Sequence, residues 1–297
     1  MSLVQQIKNI DGNLTDLQVD DSKTTIIDGK NLIVLPALID PHVHFRTPGA
    51  EYKENWESGA QAAIAGGVTT VIDMPNNNPA PIDSASLKNK KEIIEKQLKN
   101  VNIPLKFHLH LGATPNNSDE YSNLKDEIVG IKIFMGSSTG DLLVDKKKDQ
   151  EQIFKAAAEL NLVVAVHAEC DEIINEQQNK FTNCTDPACH SKIRCPQAAE
   201  KAVNQAIELA KKYDTKLYIC HVSTATEIRL IKEAKRQGVK VYAEATPHHL
   251  FLNTDDYKKW GTKVQMNPPL RDKSDQDALW QAIEDGVIDA IGTDHAP

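Results

Sequence analysis

The sequence predicts an α/β protein, a (β/α)8 barrel of the TIM type with a small N-terminal β segment. From Pro36 onward, short apolar runs alternate with amphipathic helical segments, which is typical of a parallel sheet. Eight predicted strands with seven helices between them match a barrel that stops after its last strand. A doubly wound open sheet would instead carry a glycine-rich phosphate loop after the first strand, and the sequence has none there.

The predicted elements follow one another in a regular order. Strands are expected near 37–42, 68–74, 105–111, 129–134, 163–167, 217–221, 240–244 and 288–292. Helices are expected near 54–66, 84–99, 119–126, 149–160, 197–212, 224–237 and 274–285. Residues 1–35 are interpreted as part of a small β layer, and residues 36–297 as the barrel, truncated after strand eight. The longest irregular stretches, 168–196 and 245–273, follow strands five and seven, on the face where barrel active sites lie.

The composition argues against several classes of function. The 297 residues carry a net charge of −8 and no basic stripe, which disfavours a nucleic-acid partner. Hydrophobic residues make up 40%, enough for a large core, but no run approaches the ~18 apolar residues of a membrane span. The N-terminus lacks a signal-peptide pattern. Five cysteines without a disulfide-like framework indicate a cytoplasmic protein with free thiols.

The most informative motif is the segment 40–46, which reads Asp-Pro-His-Val-His-Phe-Arg and follows an apolar run. His42 and His44 should point to the same face, because side chains on a strand alternate with period two. Neutral imidazole is a common ligand of divalent metals, so this pair could hold one ion from a rigid base. Two surface histidines would give the same pattern, so the motif needs support from the rest of the chain.

That support comes from the ends of later predicted strands. Lys132 lies inside the apolar fourth strand, and the fifth, sixth and eighth strands end in His167, His221 and Asp294. A single histidine at a strand end is more often a packed residue than a ligand. Five strands that carry such groups at the same end of a barrel indicate a shared metal site.

Lys132 differs from the other candidate ligands, because an ammonium group cannot coordinate a cation and is costly to bury. Burial should lower the pKa of its amine, which could then add carbon dioxide and become a carbamate, an anionic ligand able to bridge two metals. The alternative is a lysine whose stem is buried while its head reaches the rim. Beside four histidines we favour the carbamate.

Five segments of the chain resemble the dihydroorotase family of the amidohydrolase superfamily. They are residues 40–46, Gly-Gly-Val-Thr-Thr at 66–70, Met-Pro-Asn at 74–76, Met-Asn-Pro-Pro-Leu-Arg at 266–271 and Gly-Thr-Asp-His-Ala-Pro at 292–297. The similarity runs from about residue 28 to the end of the chain. Its motifs are typical of cyclic-amide hydrolases as a group, and several are typical of dihydroorotases.

The resemblance implies a metal-dependent hydrolase with two zinc ions bridged by carboxylated Lys132, although some members use an aspartate or a single metal. The implied ligands are His42, His44, Lys132, His167, His221 and Asp294. The implied substrate contacts are Arg46, Asn76 and Asn267. The family reaction is the reversible hydrolysis of L-dihydroorotate to N-carbamoyl-L-aspartate in pyrimidine synthesis. The expected partner is therefore a small molecule, and the oligomeric state stays open, with a homodimer as one candidate.

The chemical properties of Asp294 and Arg46 suggest a specific role for each. Asp294 is the ligand best placed to take a proton from the attacking water and deliver it to the leaving amide nitrogen. The guanidinium of Arg46 suits the substrate carboxylate, because it can form two parallel hydrogen bonds with it. We therefore assign a catalytic role to Asp294 and a recognition role to Arg46.

Three other groups could imitate a functional site. His108 and His110 form a second H-x-H pattern, but without the aspartate and arginine context of the first, and we reject it as the main metal site. The segment with Cys184, Cys189, His190 and Cys195 lacks the close cysteine pairs of zinc ribbons, so we expect a loop with free thiols. The pair at 248–249 follows strand seven and is expected to border the pocket without an assigned role.

The chain stops at Pro297, where the family continues with another histidine, the last barrel helix and further strands, so we expect a fragment of a longer protein. Two other functions compete with dihydroorotase. One is a dihydropyrimidinase or allantoinase, which Arg46 and Asn76 disfavour because they suit a substrate with a carboxylate. The other is an inactive subunit that scaffolds a carbamoyltransferase, and such relatives are expected to have lost ligands.

Overall fold

The computed structural model describes residues 2–19, 26–136 and 142–297. The chain divides into two compact units, residues 1–38 and 39–297. The boundary at 35/36 that we set from the sequence stays a prediction. Among the described residues, no helix combines the length and the apolar character needed to cross a bilayer.

The first unit contains a three-stranded sheet, as the sequence predicted. Its central strand β1 (Ser2–Lys8) pairs antiparallel with β2 (Leu14–Val19) and parallel with β3 (Ile26–Asp28). The turn between β1 and β2 contains Gly12 at φ +81°, a left-handed conformation that glycine adopts without steric cost.

Eight parallel strands then run in sequence order through the described part of the chain, which confirms the predicted barrel. They are β4 (Leu38–Val43), β5 (Val68–Asp73), β6 (Lys106–Gly112), β7 (Gly130–Phe134), β8 (Val163–His167), β9 (Lys216–Ile219), β10 (Val241–Ala245) and β11 (Ala290–Ile291). The ends of this sheet come together, because Val43 in β4 forms a parallel bridge with His295 in the segment after β11. The carboxyl ends of the strands therefore surround one common space.

The helices alternate with these strands. They are α1 (Trp56–Ala65), α2 (Ser84–Val101), α3 (Tyr121–Leu124), α4 (Lys147–Glu159), α5 (Asp171–Lys180), α6 (Cys189–Ile193), α7 (Pro196–Tyr213), α8 (Ala225–Arg236), α9 (Pro247–Phe251), α10 (Tyr257–Trp260) and α11 (Lys273–Glu284). The seven helices expected from periodicity correspond to α1–α4, α7, α8 and α11. Each was predicted to within a few residues of its observed ends.

The expectation that 168–196 and 245–273 are irregular was wrong. These stretches contain α5, α6, α9 and α10, and three of these four helices are only four or five residues long. Helices this short do not show the apolar repeat from which longer helices are predicted. The start of α9 did carry a local signal that we missed, Thr246 followed by Pro247 at the first helical position.

Period-two alternation in the strands decides which side chains enter the barrel. Ile131 and Ile133 in β7, like Val164 in β8, are fully buried in the main hydrophobic cluster that packs between sheet and helices. Lys132, between the two isoleucines, points the opposite way and lines the space enclosed by the strands. The same alternation brings His42 to that space.

A buried ion pair holds the start of the loop that follows the first histidine pair. The Lys90 side chain in α2 is fully buried, with Nζ 2.5 Å from Asp73 Oδ2 and 2.6 Å from Asn77 Oδ1. The other carboxylate oxygen of Asp73 accepts a hydrogen bond from the backbone N of Phe45 at 2.9 Å. This pair connects α2 to the backbone directly after His44.

We predict that Lys90→Met lowers the free energy of unfolding by about 3–5 kcal/mol, because it leaves the buried Asp73 carboxylate without its cation. Urea denaturation followed by circular dichroism measures the loss. Lys88→Met is the matched control in the same helix, since its side chain is 78% exposed, and it should change stability by less than ~0.5 kcal/mol. Equal losses in the two variants would show that the buried pair contributes nothing specific.

Candidate metal centre

A cavity of about 390 Å³ lies among the carboxyl ends of the barrel strands. All nine site residues expected from the sequence line it: His42, His44, Arg46, Asn76, Lys132, His167, His221, Asn267 and Asp294. The wall also includes Phe134, His190, His248, Gln265, Met266 and Ala296. The fold therefore brings the predicted residues together around one cavity.

The first histidine pair and Asp294 form one group of donor atoms. His42 Nε2 lies 3.2 Å from His44 Nε2, and Asp294 Oδ1 lies 3.2 Å from His42 Nε2 and 3.0 Å from His44 Nε2. Two nitrogens bound tetrahedrally to one zinc ion at ~2.0–2.1 Å would be ~3.3 Å apart. The three side chains thus have the mutual spacing of ligands to one ion.

A second pair of donors lies on neighbouring strand ends. His167 Nδ1 approaches His221 Nε2 at 3.0 Å, and both rings are buried. Ligand atoms of His42, His221 and Asp294 all lie within 4.8 Å of one another. The second pair therefore adjoins the first, which is the arrangement that two ions sharing ligands would require.

Three of the four imidazoles are oriented by a hydrogen bond on the ring nitrogen that faces away from the centre. Glu244 Oε1 accepts from His42 Nδ1 at 2.8 Å, Asn76 Oδ1 from His44 Nδ1 at 2.6 Å, and Glu169 Oε2 from His167 Nε2 at 2.9 Å. Each partner fixes the tautomer, so the inward nitrogen keeps a lone pair for a metal. A partner on the outer nitrogen of a ligating histidine is the usual arrangement at metal sites, and these residues fit a metal centre on that ground.

The two outer carboxylates are themselves held in place. Glu244, fully buried in β10, also accepts from the Tyr218 hydroxyl at 2.8 Å and from the backbone N of His221 at 2.9 Å. Glu169 forms an ion pair with the guanidinium of Arg194. The sequence motifs did not point to Glu244, Glu169 or Arg194 as part of the site. A carboxylate within the apolar strand at 240–244 was the signal that could have identified Glu244, because an unpaired buried charge is costly.

Gly292 allows Glu244 to reach this position. A Cβ atom built on Gly292 would overlap the Glu244 carboxylate and lie 3.0 Å from the Cβ of His42. Any larger residue would push Glu244 or His42 out of place. The glycine in the motif at 292–297 thus leaves space for the carboxylate that orients the first histidine.

Three site residues, Arg46, His221 and Asp294, adopt left-handed backbone conformations that are uncommon outside glycine. The φ angle is +37° at His221 and +51° at Asp294. Such conformations cost energy and persist only where surrounding contacts impose them. At Asp294 the contact is a hydrogen bond from its backbone N to His42 O at 2.9 Å, which aims the carboxylate at the histidine pair.

The charges of the site favour an ionised Asp294. Burial alone would raise the pKa of this carboxyl, but the imidazoles of His42 and His44 outweigh it and hold the pKa well below its usual range. For His221, burial and the neighbouring His167 lower the pKa well below its ordinary value. Burial alone would lower the pKa of His42, but the carboxylates of Glu244 and Asp294 outweigh it and raise the pKa well above its ordinary value. An ionised carboxylate and neutral imidazoles are the forms that bind metals, so a metal bound here would displace a proton from His42.

Lys132 is buried at the floor of the cavity without a carboxylate partner in the described part of the chain. Its Nζ donates to Cys220 Sγ at 3.0 Å and lies 5.1 Å from the centre of the Phe134 ring. Its side chain is 1% exposed, so it does not reach the solvent at the rim. The structure excludes the alternative in which the head of this lysine lies in water.

The residues expected to contact substrate lie on the cavity wall. The Nε of Arg46, whose backbone φ is +56°, donates to Pro297 O at 2.9 Å. Asn267 Oδ1 accepts from His190 Nε2 at 3.0 Å, and the same nitrogen lies 2.9 Å from Met266 O. Asn76 also orients His44, a role that the sequence did not suggest.

The expectation of free thiols in the loop with Cys184 was wrong. Cys184 and Cys189 form a disulfide with a Cα–Cα distance of 6.4 Å, while Cys195 remains a free thiol at the start of α7. The turn before α6 brings the first two cysteines together, and disulfide connectivity cannot be deduced from sequence alone. His190 reaches into the cavity wall instead of joining the cysteines in a zinc site.

The second histidine pattern lies away from the described cavity wall. His110 is buried in β6, and burial together with the ammonium of Lys132 lowers its pKa to about 3. His108 is exposed on the same strand. Neither residue lines the cavity, and our rejection of this pair as the main metal site stays an interpretation.

The chain belongs to the amidohydrolase family, whose model matches residues 33–297. More specifically, its curated relatives include proteins named dihydroorotase. Those from Methanosphaera stadtmanae and Methanosarcina mazei are each 37% identical to it, over 95% and 96% of this chain. The chain spans 63% and 64% of the length of these two relatives. The dihydroorotase from Bacillus cytotoxicus is 35% identical over 95% of the chain and 67% of its own length.

Solved structures resemble the chain closely in fold. The L-hydantoinase (dihydropyrimidinase) from Arthrobacter aurescens has a TM-score of 0.88 and 27% identity, covering 99% of this chain and 69% of its own. The dihydropyrimidinase from Brevibacillus agri has a TM-score of 0.83 and 26% identity, covering 100% and 68%. The structural neighbours and the sequence relatives therefore differ in the enzyme activity that their names give.

We predict that Glu244→Gln weakens metal binding by ~10–100-fold, because the amide is a weaker acceptor for His42 Nδ1. The dissociation constant for zinc, from competition with a chromogenic chelator, measures the effect. The control Glu176→Gln changes an exposed glutamate in α5 and should leave the constant unchanged. If Glu244→Gln binds zinc as tightly as the parent protein, the outer carboxylate has no influence on the centre.

Proposed function

We propose that the chain forms the catalytic barrel of a dihydroorotase, which hydrolyses L-dihydroorotate reversibly to N-carbamoyl-L-aspartate in the third step of pyrimidine synthesis. The observation that carries this proposal is the position of Arg46 on the wall of the cavity that holds the four histidines and Asp294. A guanidinium next to a metal centre suits a cyclic amide that bears a carboxylate. The identities of 35–37% with proteins named dihydroorotase support the same function.

The proposed centre would contain two zinc ions. His42, His44 and Asp294 would hold one ion, His167 and His221 the other, and carboxylated Lys132 would bridge them. Bound there, the ions would supply a water acidic enough to attack at neutral pH and a Lewis acid for the ring carbonyl. The buried amine of Lys132, with a thiol as its hydrogen-bond partner in place of a carboxylate, supports the carbamate.

Asp294 is the proposed catalytic residue. Its Oδ1 lies near 3 Å from two imidazole nitrogens, which supports a carboxylate that would lie beside the attacking water in the proposed centre. It would take that proton and deliver it to the leaving amide nitrogen, which must be protonated for the ring to open. In ring closure the same carboxylate would work in the opposite direction.

Recognition of the substrate is assigned to three side chains. Arg46 would bind the carboxylate of the ring substrate through two parallel hydrogen bonds, with Asn76 and Asn267 as further polar contacts. A small-molecule substrate, with no nucleic-acid or membrane partner, and a cytoplasmic location belong to the same proposal. A homodimer stays a prediction.

A hydantoinase or dihydropyrimidinase activity is the second candidate, because the solved structures with TM-scores of 0.83–0.88 carry those names. Their identities to this chain, 26–27%, are lower than those of the dihydroorotases. Substrates of the simplest kind, such as dihydrouracil, lack a carboxylate and would give Arg46 no anionic partner. We therefore rank this activity below dihydroorotase.

We predict that Lys132→Ala loses at least one metal ion per chain and most of its activity, with partial rescue by acetate or propionate. The added acid would replace the missing bridging carboxylate. Metal analysis and turnover with and without the acid measure this, and Lys125→Ala, an exposed lysine, is the control. A crystal structure of metal-replete protein with an unmodified Lys132 amine would contradict the proposal.

We predict that Arg46→Met reduces kcat/KM for dihydroorotate by the equivalent of about 2–5 kcal/mol, since a charge-assisted pair on the cavity wall is lost. Turnover of dihydrouracil, which has no carboxylate, should change far less. Kinetics on both substrates decide the matter, with the exposed Arg229→Met as the control. Equal losses on the two substrates would favour the dihydropyrimidinase function, and no turnover of either by the unaltered protein would refute the proposed class of reaction.

A further inference from the structure

His248 is one of the cavity-wall residues to which the proposed mechanism gives no role. His248 lies in the first turn of α9, directly after β10, and is half-buried with a side chain that lines the cavity. Its Nε2 lies 2.9 Å from Thr246 Oγ1. The same hydroxyl oxygen lies 2.8 Å from His249 Nδ1, and His249 Nε2 lies 3.1 Å from Pro268 O. These contacts form a chain of hydrogen bonds that ends at a backbone carbonyl.

The carbonyl determines the direction of every bond in that chain. A carbonyl oxygen can only accept, so His249 Nε2 must carry a hydrogen. Burial and the neighbouring His248 lower the pKa of His249 well below its ordinary value, and its ring is neutral. A neutral imidazole has one N–H, so His249 Nδ1 is left with a lone pair.

The hydroxyl of Thr246 then has one possible arrangement. Its single hydrogen points to His249 Nδ1, so its oxygen must accept from His248 Nε2. His248 therefore carries its hydrogen on Nε2. Burial lowers the pKa of this imidazole too, which keeps the ring neutral. His248 Nδ1 makes no hydrogen bond within the described chain and retains a lone pair.

A fixed acceptor on this wall complements the other polar groups there. The side-chain oxygens of Asn76 and Asn267 each already accept one hydrogen bond, from His44 and His190, so neither has both of its lone pairs open to a ligand. Arg46 can only donate. A cyclic ureide has two ring N–H groups, which need acceptors when they are buried, because an unpaired donor is costly.

We propose that His248 is a substrate-binding residue whose Nδ1 accepts a hydrogen bond from the ring N–H that lies outside the cleaved amide bond. The inference rests on the proposed function and extends it to a specific recognition contact. This N–H is present both in the ring substrate and in the open ureido product, so one fixed acceptor can hold either. Thr246 and His249 act as positioning residues, since they determine which nitrogen of His248 is the acceptor.

Two variants of His248 separate the proposed contact from a structural role. In His248→Asn the amide oxygen can take the place of Nδ1, whereas in His248→Gln the amide reaches the place of Nε2 and only the bond to Thr246 is kept. We expect His248→Gln to lose about 10- to 100-fold in kcat/KM for dihydroorotate, the effect of leaving a buried donor unpaired. His248→Asn should recover most of that loss. Equal losses in the two variants would overturn the proposal.

A methylated substrate tests the same contact by a change in the substrate instead of the protein. Dihydroorotate that carries a methyl group on the ring nitrogen outside the cleaved bond should be a poorer substrate for the unaltered protein by about tenfold or more. His248→Gln should discriminate less between the two substrates. Undiminished discrimination in that variant would mean that another group contacts this nitrogen.

The tautomer of His248 can be measured without an activity assay. In protein with ¹⁵N-labelled histidine, the ring signals that disappear in His248→Gln should show an unprotonated Nδ1 and a protonated Nε2. Thr246→Val should change that pattern, while Thr246→Ser should keep it. A protonated Nδ1 would overturn the inference. Failure of the unaltered protein to hydrolyse dihydroorotate would instead refute the proposed function, and the tautomer measurement would still decide whether His248 is an acceptor.

Discussion

The candidate centre depends on the backbone hydrogen bonds that join the first barrel strand to the segment after the last. His44 N donates to His295 O at 2.8 Å, and Asp294 N donates to His42 O at 2.9 Å. These bonds close the barrel and, through the same atoms, set Asp294 against the two histidines. Residues more than 250 positions apart in the chain thus become neighbours with the spacing of ligands to one ion. The hydrogen bonds that close the sheet are therefore the same ones that bring the ligands of the centre together.

Around that junction the structure places carboxylates outside the histidines. Glu244 and Glu169 each take the outer nitrogen of an imidazole, and each is satisfied by further donors, Tyr218 for one and Arg194 for the other. A buried carboxylate with several partners keeps its position and its charge more reliably than one with a single partner. The imidazoles are therefore oriented before any ion arrives, which reduces the cost of ordering them on binding.

The sequence was most informative where the candidate site residues lie on strands, because strands have a recognisable residue pattern. Alternation with period two identified the strands, placed His42 and His44 on one face, and turned Lys132 away from its apolar neighbours. It could not identify Glu169 and Arg194 as partners, because they lie 25 positions apart in the segment 168–196 and their contact depends on how that segment folds back on itself. The short helices α6 and α9 were missed because a single turn carries no periodicity. The tautomer of His248 likewise depends on Pro268, a residue twenty positions further along the chain.

The five-residue helix α6 joins two regions that are far apart in the chain. His190 contacts Asn267, Ser191 donates to Leu270 O at 2.8 Å, and the backbone O of Arg194, just beyond the helix, accepts from the guanidinium of Arg271 at 2.5 Å. The segment 168–196, which follows β8, and the segment 245–273, which follows β10, therefore pack against each other. An engineer who wished to change the ring that this pocket accepts could not transplant either loop alone from a relative. Both loops would have to be exchanged together.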